Sequence, residues 1–289
     1  MFKVAGELHP WNSDFSWSDH GGPLRILTDE QVARFDQDGF FLFEHGFAPE
    51  TVAAILAEID GMEKRLDDLL RKQPNGRTAG AITFTTHLVC RSALLRGLVA
   101  SAPLVDIAAD LCGPAVRLYW DQAVYKKPEK PRRFPWHQDN GYAFVEPQQY
   151  LTCWIALTNA TADNGCPIVV PGMHRMGTLH HHFVDPLGFE CIEGHPDAGP
   201  VPASAGDIVV FSSLTPHLTG PNVTREVRKS WIVQYCPDGA EVLRGDPAQG
   251  PPTGREACIN DDRQYLVVKD GHNLEPPPSA WMSADPASL

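Results

Sequence analysis

In the run Phe134-Pro135-Trp136-His137-Gln138-Asp139-Asn140-Gly141-Tyr142, an imidazole and a carboxylate stand two residues apart. On a β-strand, residues i and i+2 share a face, so His137 and Asp139 can chelate one metal ion from a strand end. Two ligands do not complete a site, and of the chain's twelve histidines the eleven besides His137 compete for the third place. His217 follows a strand-like run, Asp207 to Ser212, through Leu214-Thr215-Pro216, and could be aimed into a barrel mouth. Eleven residues beyond it stands Arg228, on a further predicted strand, with Ser230, Ile232 and Gln234 as its alternation mates. An arginine sharing a face with Ile232 is expected to be partly buried and to need an anionic partner. Two imidazoles and one carboxylate on one face of an octahedron leave three positions open, as in the facial triad of non-haem Fe(II) oxygenases. Zinc usually takes four ligands with one position open for catalysis. Three open positions suit a bidentate 2-oxo acid and dioxygen, and a guanidinium suits the far carboxylate of 2-oxoglutarate as a two-point pair.

The other histidines read differently. His180-His181-His182 alternate faces on a strand, so only His180 and His182 can cooperate, and the polar segment reads as a solvated loop or edge. His174, in Pro171-Gly172-Met173-His174-Arg175, reads as a turn histidine bonded to backbone. His9, His20, His45, His87, His195 and His272 are isolated.

The elements that must carry these residues fall into two halves. Thr28-Asp29-Glu30-Gln31 has the form of a capping box and predicts a short helix with Val32 and Phe35 inward, ended by Gly39. Gly39–Phe43 reads as a first strand. Pro49-Glu50 opens a longer helix, in which Val52, Ile55, Leu56, Ile59 and Met62, then Leu66, Leu69 and Leu70, recur at helical spacing as core. Gln73–Gly80 reads as a loop, Ala81–Val89 as a strand, and Leu94–Leu111 as one or two helices stopped by Gly113-Pro114. After Pro114 the period becomes 2, with Val116, Leu118, Trp120, Gln122, Val124 and Lys126 on one face. Short strands follow at Leu151–Thr158, Pro167–Val170, Asp207–Ser212 and Val227–Tyr235, a series that predicts a barrel or jelly roll. The expected class is α+β with a mainly β core and N-terminal helices packed outside it. One domain of residues 1–289 is expected: 28–113 largely helical support, 114–237 the jelly-roll core, and 238–289 a Pro-, Gly- and Asp-rich C-terminal extension that only partly packs.

The chain has 289 residues, 43% hydrophobic and 21% charged, with a formal net charge of −12. That is a globular composition, and its charge disfavours nucleic acid. The seven cysteines form no Cys-x-x-Cys pair and read as buried or inert thiols. Met1–Phe15 has no apolar core of a secretory leader, and no run approaches the ~18 apolar residues of a membrane span. A cytoplasmic protein without nucleic-acid or membrane partners is expected.

Three segments carry a family resemblance: Phe134–Tyr142, Asp163-Asn-Gly-Cys-Pro-Ile-Val-Val-Pro-Gly-Met-His174, and Pro216-His-Leu-Thr-Gly-Pro-Asn222 with Arg228. Together, over about Leu27 to Pro237, the chain resembles the phytanoyl-CoA dioxygenase family. The resemblance implies a double-stranded β-helix, Fe(II), and 2-oxoglutarate and O2 as co-substrates. By position, it implies that His137, Asp139 and His217 bind iron and that Arg228 binds 2-oxoglutarate, with Thr219 as a hydroxyl donor. Gln122 matches a polar position on the strand before the His-x-Asp, with a backbone-satisfied glutamine as the alternative, and Trp154 would be a wall of the co-substrate pocket, with core packing as the alternative. Met173 replaces the Ser of the family's Pro-Gly-Ser-His turn. Halogenating relatives replace the metal carboxylate by a small residue; Asp139 is present here, so the resemblance points to oxygen transfer, desaturation or a related oxidation, not halogenation.

Phe134, Trp136, Tyr142 and Phe144 flank the metal pair and predict an apolar or aromatic-walled pocket. A lipophilic small molecule, hydroxylated with release of succinate and CO2, is the first expectation for the substrate, and an acyl-CoA the second. Lys126, Lys127, Lys130, Arg132 and Arg133 read as a solvated loop, with a carboxylate or CoA phosphate as the alternative partner. Two other classes stay open on the sequence: a metal-binding cupin-like protein without oxygenase activity, and a zinc or nickel isomerase or hydrolase on the same barrel.

Overall fold

Thr28 Oγ1 accepts from Gln31 N, and the Gln31 side chain accepts from Thr28 N. The expected capping box is thus closed in the computed structural model, which describes residues 6–73 and 80–282. The helix it starts, α1 (Asp29–Asp38), ends at Gly39, whose φ of 82° is the left-handed cap that glycine takes without strain. Helices α2 (Pro49–Lys72), α3 (Ala93–Leu98) and α4 (Leu104–Cys112) complete the helical set. Most of the Gln73–Gly80 loop lies outside the described residues.

The strands, in chain order, are β1 (Phe40–Phe43), β2 (Ile82–Thr86), β3 (Val116–Lys126), β4 (Phe134–His137), β5 (Val145–Glu146), β6 (Leu151–Ala156), β7 (Pro167–Val169), β8 (His182–Val184), β9 (Gly188–Glu190), β10 (Gly199–Pro200), β11 (Ile208–Ser212), β12 (His217–Thr219), β13 (Arg228–Pro237), β14 (Glu241–Arg244), β15 (Gly254–Ala257), β16 (Leu266–Lys269) and β17 (His272–Asn273). The larger sheet runs β1-β11-β6-β13-β3-β16-β17, with β2 also paired to β3; the smaller runs β10-β7-β12-β4. All their pairings are antiparallel. This is the expected jelly roll. The helices cover one face of the larger sheet, where Ile55, Ile59, Leu104 and Ile107 share a core with Trp231, Val233 and Tyr235. The opposite face, with Val124, Trp154, Phe211 and Ile232, looks into the barrel toward Val169 of the smaller sheet. Strands β6 and β11 are buried on both faces, which is why they read as continuous apolar runs rather than as alternation.

Four readings change in the structure. The alternation of β3 does not hold throughout: Gln234 pairs with Trp120 but Tyr235 with Leu118, so Tyr119 is an extra residue. Such a bulge reverses the facing of the residues before it. Val116 and Leu118 therefore join the helix-covered core, while Trp120, Gln122 and Val124 line cavities inside the barrel. The strand expected over Ala81–Val89 stops at Thr86, because His87 takes φ 57° and Leu88–Cys90 form a 3-10 turn. Segment 238–289 packs over its described part: β14 pairs with β5, and β16 extends the larger sheet beside β3.

The fourth change concerns the basic run. Lys127 is buried, and its Nζ lies 2.9 Å from Glu63 and 2.7 Å from Asp67. The apolar stripe expected along α2 therefore yields in its last turns to buried Glu63 and Asp67, while Leu69 is exposed. Removing one partner of such a buried pair leaves an uncompensated charge. Lys127→Met is expected to lower unfolding free energy by about 3 kcal/mol, read from urea denaturation monitored by circular dichroism.

Candidate metal and co-substrate site

Strand β12 lies beside β4 with His217 directly opposite His137, so two imidazoles eighty residues apart in sequence come to a ring-centroid separation of 4.1 Å. Each ring's Nδ1 meets the carbonyl two residues before it: Pro135 O at 2.8 Å and Thr215 O at 3.0 Å. A carbonyl only accepts, so Nδ1 carries the proton and Nε2 keeps its lone pair. The two Nε2 atoms lie 3.9 and 4.0 Å from Asp139 Oδ1, and the three donors fall within 4.8 Å of one another. Burial, and then the neighbouring His217, lower the basicity of His137 well below the usual range, which keeps it neutral as metal ligation requires.

His137 and Asp139 do not share one strand. His137 ends β4, and Asp139 opens a 3-10 turn, Asp139–Gly141. Gln138 between them makes this possible. Fully buried, it donates to Gly177 O at 3.0 Å and Leu214 O at 2.6 Å, and accepts from Leu179 N at 2.6 Å. Its own N–H donates to His181 Nε2 at 3.0 Å. His181 is therefore a fastener beside the site, not part of a solvated loop, whereas His180 and His182 are exposed. His174 is bonded to backbone, as expected, through Asp36 O.

The carboxylate is also held. Thr152 Oγ1 donates to Asp139 Oδ2 and accepts from Gln234 Nε2 at 3.2 Å. Oδ2 is thereby tied back while Oδ1 faces the imidazoles. Thr152 and Gln234 lie opposite each other on β6 and β13. Sequence reading placed Gln234 on the face of Arg228 but gave no reason to link it to Asp139.

Behind the three donors lies an inner chamber. Arg228 and Thr219 line it together with Trp154, Phe211 and Ile232. Arg228 is only 1% exposed. Its Nη1 donates to Val124 O at 3.2 Å and to Ser230 Oγ, its Cζ lies 5.1 Å from the Trp154 ring centre, and its Nε and Nη2 have no partner among the described residues. Burial draws the guanidinium down to about 9. Two unspent donors on a buried cation fit one carboxylate of a co-substrate at this place.

A family profile for phytanoyl-CoA dioxygenase (PhyH) matches residues 35–230. The chain belongs to the phytanoyl-CoA dioxygenase family. Membership makes it a 2-oxoglutarate-dependent non-haem iron dioxygenase, with Fe(II) as its metal and 2-oxoglutarate and O2 as co-substrates. It is 27% identical over 231 residues to the methylphosphonate hydroxylase of Gimesia maris, covering 72% of this chain and 80% of the relative. It is 24% identical over 286 residues to the peroxisomal phytanoyl-CoA dioxygenase of Rattus norvegicus, covering 91% and 84%. In fold it is similar to SnoK, a non-haem 2-oxoglutarate-dependent carbocyclase from nogalamycin biosynthesis, with a TM-score of 0.66 at 22% identity over 86% of this chain and all of that one.

In this PhyH-family protein a second, outer chamber of about 440 Å³ meets the inner one at His137, Asp139, Gln122, Phe84 and Phe134. Its further walls are Tyr119, Trp120, Tyr142, Tyr150, Leu187 and Gln234. Among the described residues, no acidic side chain apart from Asp139 lines it, and no Lys or Arg does. Burial pushes the Tyr119 and Tyr150 phenols up, so they remain protonated hydrogen-bond donors. Gln122 lies where the chambers join, and its amide has no hydrogen-bond partner among the described residues. The reading of Lys126 and Lys127 as a solvated loop is corrected: both are buried. Among the described residues, no helix is long and apolar enough to cross a membrane.

Outer partners that orient a metal ligand are commonly worth 10- to 100-fold in metal affinity. Thr152→Val, which frees Asp139 Oδ2, is expected to weaken Fe(II) binding by about that factor, measured by competition with a chromogenic chelator under anaerobic conditions.

Proposed function

We propose that this dioxygenase hydroxylates an unactivated C–H of an uncharged, lipophilic small molecule held in the outer chamber, releasing succinate and CO2. The reading rests on one observation: the three-donor cluster sits where an inner chamber ending in an unpaired guanidinium meets an outer chamber walled by aromatic rings. His137, Asp139 and His217 would hold the iron through the two Nε2 atoms and Oδ1. Arg228, over the face of Trp154, would take the far carboxylate of 2-oxoglutarate, with Thr219 beside it. Gln122, at the junction, has a free amide for the co-substrate or for a polar group of the substrate. When bound, the iron supplies the oxidation, coupling decarboxylation of 2-oxoglutarate to insertion of one oxygen atom into the substrate.

The remaining work is the protein's own. The Nδ1 bonds to Pro135 and Thr215 and the Thr152 bond to Asp139 fix the donors before anything binds. Phe134 and Phe211 pack edgewise and tilted against the imidazoles at 4.8 and 4.5 Å and keep water from them. Among the described residues no basic side chain lines the outer chamber, which favours a neutral substrate over an acyl-CoA. Lys127, one candidate partner for a CoA phosphate, is already bound by Glu63 and Asp67. A substrate with one or two hydroxyl or carbonyl groups would find donors in Tyr119 and Tyr150 and an amide in Gln234.

Anaerobic Fe(II) and 2-oxoglutarate should together give the wild-type protein a visible metal-to-ligand charge-transfer band. His137→Ala and Asp139→Ala should lack it, and Arg228→Met should show it only at much higher 2-oxoglutarate. In a succinate-release screen, neutral aromatic or polycyclic compounds should stimulate turnover at least tenfold more than acyl-CoA thioesters. Full turnover by His137→Ala with iron supplied would remove the metal assignment, and stimulation by acyl-CoA alone would overturn the substrate class.

A further inference from the structure

Two of the chain's seven cysteines lie side by side. Cys236, near the end of β13, and Cys258, just past β15, are both buried, and their thiols are within hydrogen-bond reach of each other. Backbone pairing brings them there. Glu241 of β14 faces Ala257 of β15, and Cys258 N donates to Ala240 O at 2.9 Å, so the chain that leaves β13 folds back and returns with Cys258 beside Cys236. The pair belongs to the small cluster behind Tyr119 and Tyr150, two walls of the outer chamber. Cys258 lies just beneath the surface, for Ala257 and Ile259 on either side are exposed, as is all of β15.

The two thiols are chemically unequal. Cys236 donates to Cys258, and that bond holds the Cys258 thiol below its ordinary value while lifting Cys236 well above its own. Arg117 also favours the Cys258 thiolate; burial, Glu256 and Glu241 oppose it. In Cys90, Cys112, Cys153, Cys166 and Cys191, burial raises the thiol, in keeping with inert packing. The thiolate is the reactive form in thiol oxidation. Cys258 is therefore the cysteine prepared to attack, and it has a second thiol in contact.

We propose that Cys236 and Cys258 are a redox modification site, a dithiol that hydrogen peroxide closes to a disulfide, with Cys258 as the attacking sulfur and Cys236 as the resolving one, and that closure shifts the tyrosine wall of the outer chamber. The Cys258 thiolate attacks one peroxide oxygen: an S–O bond forms, the O–O bond breaks, and hydroxide leaves as water after taking a proton. The Cys236 thiol then attacks the Cys258 sulfur: the S–S bond forms, the S–O bond breaks, and a second water carries away the Cys236 proton. Two thiols lose two electrons in all, and one peroxide is reduced to two waters. A disulfide draws its sulfurs to about 2.05 Å, well inside hydrogen-bonded contact. Interiors are close-packed, so neighbours move with such a contraction. Those neighbours include both phenols, which feel the two sulfurs. His137, Asp139, His217 and Arg228 are not members of the cluster, so the metal and co-substrate seats keep their places.

The test uses the full-length protein, stripped of iron with a chelator so that peroxide reacts only with side chains. It is treated with a small molar excess of hydrogen peroxide, blocked with N-ethylmaleimide and mapped by peptide mass spectrometry. Two of the seven thiols should be lost together, in one link between Cys236 and Cys258 that dithiothreitol reverses. In Cys258→Ser, Cys236 should oxidise at least about tenfold more slowly than the pair does in wild type. Cys236→Ser should stop at a Cys258 sulfenic acid that dimedone traps. Amide hydrogen exchange around residues 117–121 and 148–151 should differ between oxidised and reduced protein by at least about twofold, and not around 135–139. After Fe(II) is restored, the charge-transfer band should report 2-oxoglutarate affinity within about twofold of the reduced protein, as for sites that share no partners. Thiol loss spread evenly over the seven, a link between any other two, or no link at all would overturn the site, and the wild-type map decides this even if either variant fails to fold. A mapped link with unchanged exchange at Tyr119 and Tyr150 would overturn its effect on the chamber. A band missing from both forms would overturn the function and leave a mapped link standing.

Discussion

The pairing of β4 with β12 is the constraint on which the site depends. It sets His217 opposite His137, and a slip of one residue would turn one imidazole to the opposite face of the sheet. The smaller sheet alone does not secure that register, since β12 has three residues and β4 four. Gln138 and His181 add side-chain bonds to backbone from the 177–181 segment and from Leu214. Thr152 and Gln234 then tie Asp139 to the larger sheet. The three donors are thus fixed from both sheets, and the joint between the sheets is a hydrogen-bond chain rather than apolar packing alone.

Charge is distributed with the same economy. Within two adjacent residues, Lys126 and Lys127 point to opposite sides of the sheet. Lys127 turns outward to helix α2 and is neutralised by Glu63 and Asp67. Lys126 turns inward beside Arg228 and meets no carboxylate among the described residues. The outer pair makes a stable contact between helix and sheet; the inner pair concentrates positive charge where an anion can enter. That contrast supports reading the inner chamber as an anion seat rather than as a site of ordinary packing.

Much of this was legible in the sequence because it depends on local chemistry. The capping box at Thr28, the change of period at Pro114, and His137, Asp139 and His217 as chelating types on strand ends all follow from residue type and spacing. What was not legible depends on pairing. No local signal marks Tyr119 as a bulge, because a bulge is defined by its partner strand and the alternation of Leu118, Trp120 and Gln122 looks unbroken on the page. Lys126 and Lys127 read as solvated until α2 and β13 are brought beside them, whereas Lys130, Arg132 and Arg133 of the same run are exposed. Thr152 is an unremarked residue in an apolar strand, and only the register with Gln234 shows that it supports Asp139. Nothing in the sequence singles out Gln138, whose burial and hydrogen bonds show it to be the anchor of both ligands.

The bulge also connects the framework to substrate choice. Without the extra residue, Tyr119 would alternate onto the helix-covered face; with it, Tyr119 and Trp120 both reach the outer chamber. The irregularity falls at the Gln234–Tyr235 junction of β13, so the same break presents a phenol to the outer chamber and leaves Gln234 pointing inward to Thr152. Behind Tyr119 and Tyr150 pack Cys236, Ala240, Val242 and Cys258. These four lie beyond residue 230, where the family match ends. The metal donors and Arg228 therefore lie within the stretch shared with the family, while the support for the outer chamber's aromatic wall comes from the segment after it. If the outer chamber holds the substrate, as proposed above, a change in the C-terminal segment would act on it through the backing of two tyrosines without touching the donors.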